Sequence, residues 1–203
     1  YYTHMKKVVL LLFGAVIIMA AGNKNSLNIG DSAPLQKEKM KDISGKQMSL
    51  ADAKSENGLL VIFSCNTCPY VIAWEDQYNP LNELGKKNDI GVVLINSNEA
   101  KRNGDDSMEM MTEHASKESY TMPYLVDPKS KLADAFGANT TPHIYLFDAD
   151  MKLVYKGAIN DKFESSEKKA KKFFLEDAMK SLGSGKEIKV KETQNRGCSI
   201  KRV

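Results

Sequence analysis

Cys65 and Cys68, in the stretch "FSCNTCPYV", stand two residues apart between an apolar run and a helix-like segment. Two thiols at that spacing can form a reversible disulfide, clamp a soft metal, or staple the chain. The staple is the weakest of the three. So small a ring constrains the unfolded chain little, whereas structural disulfides usually close long loops. Reversible oxidation is the ordinary use of such a pair. Cys198 is the third cysteine of the chain and leaves an odd thiol over.

The elements around the pair favour redox chemistry. "GLLVIF", from Gly58, is a short run rich in branched residues, as expected for a buried parallel strand. After the cysteines, Val71, Ile72, Trp74, Tyr78, Leu81 and Leu84 follow a helical repeat, with a kink expected at Pro80 and a stop near Gly85. Cys65 is therefore expected where the strand ends and the helix begins. Free backbone N–H groups and the helix dipole would lower its pKa there and make it the attacking thiol. Cys68 would be the more buried resolving thiol, with Pro69 in the first turn, where a missing N–H costs nothing.

Downstream, "IGVVLINSN" reads as a strand, "DDSMEMMTEHASKES" as a helix, "MPYLVD" as a strand and "SKLADAFG" as a helix ending at Gly137. "PHIYLFD" and "KLVYKGA" read as two strands joined by a turn at Ala149 and Asp150, and a final helix is expected from Ser166 to Leu182. This order predicts an α/β chain with a central mixed β-sheet and helices on both faces. Met108, Met110 and Met111, at helical spacing, read as core rather than as a soft metal site. "EIKVKET" could be an edge strand.

Length and composition set outer limits. The 203 residues, 42% of them hydrophobic, suffice for one domain with a sizeable core. "MKKVVLLLFGAVIIMAAGNKNS" has two lysines, then an uncharged run from Val8 to Gly22, shorter than the roughly 20 residues of a membrane span. It reads as a secretory leader cleaved after Gly22. The division is thus 1–22 leader with upstream residues, 23–182 folded domain, and 183–203 a C-terminal extension carrying Cys198. Export, to a periplasm-like compartment, would place all three cysteines where disulfides persist. No stable membrane span is expected once the leader is gone. The net charge of +3 includes Lys6 and Lys7 of that leader, so the domain is nearly neutral and nothing calls for nucleic acid. The lysines of "SSEKKAKKFF" read as a solvated helix face.

"CNTC" at a strand-to-helix turn, followed well downstream by "TTPHIYLFD", resembles the thioredoxin superfamily. That resemblance implies a thioredoxin-like fold, with Pro142 as the cis-proline set beside the cysteine pair and Thr141 and Pro142 receiving the substrate strand. A proline at the start of a buried strand independently suits a cis bond. More narrowly, "IGDSAPLQ", "FSCNTCPYV", "YLVDPKSKLADAFGANTTPHIYLFDADMKLVYKGAIND" and the terminal "GCSIK" resemble peroxiredoxin-like, AhpC/TSA-related proteins over residues 28 to 201. Cys68 would match the peroxidatic cysteine of that group, but Cys65 stands where peroxiredoxins have threonine. No arginine lies between Arg102 and Arg196 to polarise a peroxide. Leu59 stands where thioredoxin has the buried aspartate that accepts the proton of the resolving thiol, so that proton would go to water or another group, for which Glu75 is a weak candidate.

These observations imply an exported thiol-disulfide oxidoreductase. Cys65 and Cys68 would be its catalytic residues, Thr141 and Pro142 its substrate-binding residues, and Cys198 a possible third thiol. Protein or small-molecule disulfides would be its partners, together with an electron-donor protein, and no cofactor is implied beyond the chain's own sulfurs. One alternative is a peroxiredoxin-type peroxidase. The other is a copper or zinc chaperone using Cys65, Cys68 and His143, which follows the proline and would be drawn toward the pair.

Overall fold

The computed structural model describes residues 26–163 and 169–203. The leader expected within residues 1–22 lies outside them. Among the described residues no helix is long and apolar enough to cross a membrane.

In chain order, β1 (Met40–Asp42) and β2 (Gln47–Met48) form a hairpin, followed by α1 (Leu50–Ala53) and β3 (Gly58–Ser64). Then come α2 (Pro69–Trp74), α3 (Tyr78–Lys87), β4 (Ile90–Asn96), α4 (Met108–Lys117), β5 (Tyr124–Val126) and α5 (Lys131–Phe136). The chain continues through β6 (Thr140–Thr141), β7 (His143–Phe147), β8 (Leu153–Gly157), α6 (Phe174–Gly183) and β9 (Cys198–Ser199). Seven strands make one sheet in the order β2-β1-β5-β4-β3-β7-β8, and β6 pairs with β9 separately. The central pairs β3/β4 and β4/β5 are parallel, while β7 runs antiparallel to β3 and β8 antiparallel to β7. The expected mixed sheet is therefore present.

Helices cover both faces because the central strands are apolar on both. All seven residues of β3 are buried, which is the pattern of a strand packed on two sides. Leu60 and Ile62 face Val71, Trp74, Tyr78 and Met179, from α2, α3 and α6. Leu59, Val61 and Phe63 face Leu50 of α1 and Leu132 and Phe136 of α5. Ile62 is opposite Leu94 on one side and Ile144 on the other. This packing fixes the end of β3, and hence the point where the cysteines begin.

Four local expectations need correction. The break in the helix after the cysteines falls at Glu75–Gln77, one turn before Pro80, which itself sits in the first turn of α3. A proline obstructs the carbonyl four residues earlier, so the distortion precedes it. The last helix begins at Phe174 rather than Ser166, although 164–168 lie outside the described residues. Asp161 Oδ1 accepts the N–H groups of Lys171 and Lys172 at 2.7 and 2.9 Å, and this holds that segment in a non-helical turn. Of the methionines, Met111 is in the core while Met110 is exposed. "EIKVKET" is not a full strand: it lies along β8 through a single parallel bridge from Glu192 to Lys156.

The central strand predicts one measurable consequence. Ile62→Ala removes a fully buried side chain and should lower stability by about 2–5 kcal/mol in urea unfolding. A loss under about 1 kcal/mol would show that the sheet–helix interface does not carry the fold.

Candidate functional site

β3 ends at Ser64, and the four residues from Cys65 to Cys68 turn the chain into α2. Cys68 occupies the helix N-cap and Pro69 the first helical position. The helix end therefore belongs to Cys68, and Cys65 lies three residues before it. The backbone N–H groups of Thr67 and Cys68 lower the Cys65 pKa only slightly.

Thr141 joins the sulfurs. Its hydroxyl lies 3.2 Å from Cys65 Sγ, and its carbonyl oxygen lies 3.1 Å from Cys68 Sγ. The Thr141–Pro142 peptide bond is cis, as the sequence led us to expect. On the far side of Thr141, β9 runs antiparallel to β6 and sets Cys198 directly opposite Thr141. The disulfide is formed by Cys68 and Cys198, whose Cα atoms are 6.0 Å apart across 130 residues of sequence. Cys65 remains a free, buried thiol. The structure thus brings together Cys65, Cys68, Thr141 and Cys198, with Pro142 next to Thr141 in the chain, but pairs the thiols differently from the expected Cys65/Cys68 couple.

A cavity of about 130 Å³ opens on these sulfurs, lined also by Asn98, Lys101, Asp106 and Lys201. Asp106 is fully buried. Its carboxylate accepts the backbone N–H of Asn66 at 3.0 Å, Asn96 Nδ2 at 2.7 Å and Asn98 Nδ2 at 2.9 Å. The bond from Asn66 ties the cysteine turn to the loop after β4, and the bonds from Asn96 and Asn98 hold that loop against the end of the strand. Asp106 was missed in the sequence, where "DDS" reads only as a helix start. The available signal was "INSN" at the carboxyl end of a parallel strand, the edge where α/β sheets place their sites.

Electrostatics reverses the expectation for Cys65. Burial pushes its thiol pKa up, outweighing the hydrogen bond from Thr141, and the negative charge of Asp106 adds to the rise. Cys65 is 2% exposed and Cys68 4%, so Cys68 is not the more buried of the two.

Two further candidates lie elsewhere. His143 shares the strand parity of Tyr145 and packs against its ring at a centroid distance of 4.6 Å, on the face opposite the sulfurs. It lines a separate cavity with Lys156, Asn139 and Asn195. Burial, reinforced by Lys156, lowers its pKa to about 3. Side chains alternate along a strand, so the first residue of β7 is turned from the sulfurs and cannot complete a metal site with Cys65 and Cys68. Glu75 is bonded to His114 at 2.9 Å and Tyr120 at 3.3 Å, and does not line the cysteine cavity.

The raised pKa has a measurable consequence. In the disulfide form only Cys65 can be alkylated, and its rate should be slow at pH 7 and climb about tenfold per pH unit through pH 9. A plateau already reached below pH 8 would show that the helix end, not burial, governs the thiol.

The Redoxin family model matches residues 28–172. The chain is similar to a hypothetical protein from Sinorhizobium meliloti 1021, at 29% identity and a TM-score of 0.80, covering 88% of this chain and 96% of that one. It is similar to an uncharacterized conserved protein from Geobacillus kaustophilus at 30% identity and a TM-score of 0.80, over 88% and 94% of the two chains. Peroxidoxin BcpB from Mycobacterium tuberculosis shares the fold at 14% identity and a TM-score of 0.56, over 78% and 95%. No curated protein matches the chain. A thioredoxin-like sheet, a cysteine pair at the end of its central strand and a family match over most of the length agree, and the chain belongs to the Redoxin family of the thioredoxin superfamily.

Proposed function

We propose that this protein is a thiol-disulfide oxidoreductase working through Cys65 and Cys68, with Cys198 as a third thiol. Family membership supports a redox role. The observation that carries the finer reading is the meeting of a free Cys65 thiol and the Cys68 sulfur on Thr141, at the floor of an open cavity.

In the reduced protein, the Cys65 thiolate attacks one sulfur of a substrate disulfide, forming a mixed disulfide and releasing the other substrate sulfur as thiolate. Cys68 then attacks Cys65 Sγ. That step breaks the mixed disulfide, releases the second substrate thiolate, and leaves the Cys65–Cys68 disulfide. The substrate gains two electrons and the pair loses them. The Thr141 hydroxyl is placed to donate to the Cys65 thiolate, offsetting part of the cost of charging a buried sulfur. Substrates are protein or small-molecule disulfides. Export to an oxidising compartment fits both the apolar N-terminal stretch and a disulfide closing 130 residues of chain.

One observation favours a second reading. A peroxidatic Cys68 resolved by Cys198 would end as the disulfide seen here. Cys68 would reduce a hydroperoxide to an alcohol and become a sulfenic acid, and Cys198 would displace water from it. Against this, Arg102 is held by the carbonyl oxygens of Asn96 and Asp106, at 2.8 and 2.7 Å, and does not line the cavity.

Single-cysteine variants separate the two. Exchange predicts that Cys65→Ser loses at least about 100-fold in peptide-disulfide reduction, while Cys68→Ser accumulates a mixed disulfide at Cys65. Hydrogen peroxide consumption retained in Cys65→Ser and abolished in Cys68→Ser would replace this reading with the peroxidase.

A further inference from the structure

The last residues of the chain dock on the cysteine site through many contacts besides the sulfur. Asn195 Nδ2 donates to Thr140 Oγ1 at 2.6 Å, and the β6/β9 ladder pairs Thr140 with Ser199. Ile200 donates its N–H to Asn139 O at 3.0 Å and buries its side chain in the cluster that holds Phe136 and Ala138. Lys201 donates its N–H to Asn98 Oδ1 at 2.8 Å and accepts from Ala100 N–H at 2.9 Å. Arg202 reaches Asp134 Oδ1 and Ala138 O, at 2.7 and 2.6 Å. At Gly197 the backbones come so close that a Cβ would lie 2.3 Å from Thr141 O.

These contacts describe an extended, cysteine-bearing strand lying on the edge that Thr141 presents beside the reactive sulfurs. We propose that Gly197–Arg202 is a resident substrate mimic: it closes the β6 edge while Cys198 is bonded to Cys68, and exchange at Cys68 frees the edge for an extended polypeptide with glycine before its cysteine. This rests on the thiol-disulfide reading above and names its substrate class.

The release step needs no outside oxidant or reductant. The Cys65 thiol gives its proton to solvent, and its thiolate attacks Cys68 Sγ. The Cys68–Cys198 bond breaks as Cys65–Cys68 forms, and Cys198 departs as a thiolate that takes up a proton. One disulfide replaces another with no change in electron count. The tail then stays only through reversible contacts. A dithiol reductant gives two electrons to Cys65–Cys68, leaving both as thiols and itself as a disulfide, and an incoming strand can take over the β6 hydrogen bonds by strand addition. The glycine requirement follows from the Thr141 contact, because any side chain at that position must push against backbone.

The test uses full-length wild type and Cys198→Ser, with the disulfide-linked dimer of the peptide NRGCSI, its counterpart carrying valine in place of glycine, and a small aromatic disulfide. With a thiol reductant turning the enzyme over, wild type passes through the Cys68–Cys198 form in each cycle and Cys198→Ser does not. Cys198→Ser should therefore reduce the NRGCSI dimer several-fold faster than wild type, and either protein should reduce it at least about tenfold faster than the valine dimer. In oxidised wild type taken from pH 7 to pH 9, non-reducing peptide mapping should find a Cys65–Cys68 linkage, with the Ile200 amide losing protection from hydrogen exchange. Cys65→Ser should show neither change. Equal rates for the two peptides, or an Ile200 amide equally protected in Cys198→Ser and oxidised wild type, would overturn the tail proposal. If Cys198→Ser still reduces the aromatic disulfide in that case, the exchange chemistry stands and the tail is a fixed staple. If it reduces none of the three, the oxidoreductase reading itself fails.

Discussion

The site depends on the position of Thr141. One residue supplies a hydroxyl to Cys65, a carbonyl oxygen beside Cys68 and a strand edge opposite Cys198. Three cysteines spread over most of the chain meet because this residue sits at the entry to β7, and β7 is paired with β3, which delivers the cysteine turn. The Cys68 sulfur has no proton to donate while it is bonded to Cys198. As a free thiol it could donate to the Thr141 carbonyl, so the same backbone group offers a partner to the reduced sulfur.

Burial and helix electrostatics compete for control of the Cys65 thiol, and burial wins. A helix end stabilises negative charge only within its first turn, and that place belongs to Cys68. Desolvation outweighs the Thr141 hydroxyl, which favours the thiolate of Cys65, and the charge of Asp106 adds to the rise. Asp106 has a second effect. By bonding Asn66, Asn96 and Asn98 together, it fixes the cysteine turn against the loop after β4. Asn98 in turn holds the backbone of Lys201, so the docked tail and the cysteine turn share one buried network. The same carboxylate both orders the site and quiets its free thiol.

Covalent and non-covalent anchoring of the C-terminus coincide. A disulfide spanning 130 residues removes much of the unfolded chain's freedom, which alone would account for a staple. The ladder to β6, the burial of Ile200 and the bonds from Arg202 instead describe a strand fitted to its place. An edge so short has little to offer a neighbour unless a sulfur or a buried side chain adds to it, and here both do.

Much of this protein is legible in the order of its residues. The apolar run from Gly58, the helical repeat after Cys68, the glycine at the end of α5 and the two strands after Pro142 specify their elements, because each is a local periodicity or a local stop. The cysteine spacing and "TTPHIYLFD" likewise announced which residues would gather. Three matters were decided only by the tertiary structure. Which cysteine caps the helix turned on where β3 stops, and that is set by pairing with β4 and β7. The side of the sheet taken by His143 turned on strand parity counted from a cis bond. The partner of Cys68 was settled by β9 docking on β6 from more than fifty residues away in the chain. Each depends on contacts between distant segments, and no local pattern of residue types encodes them.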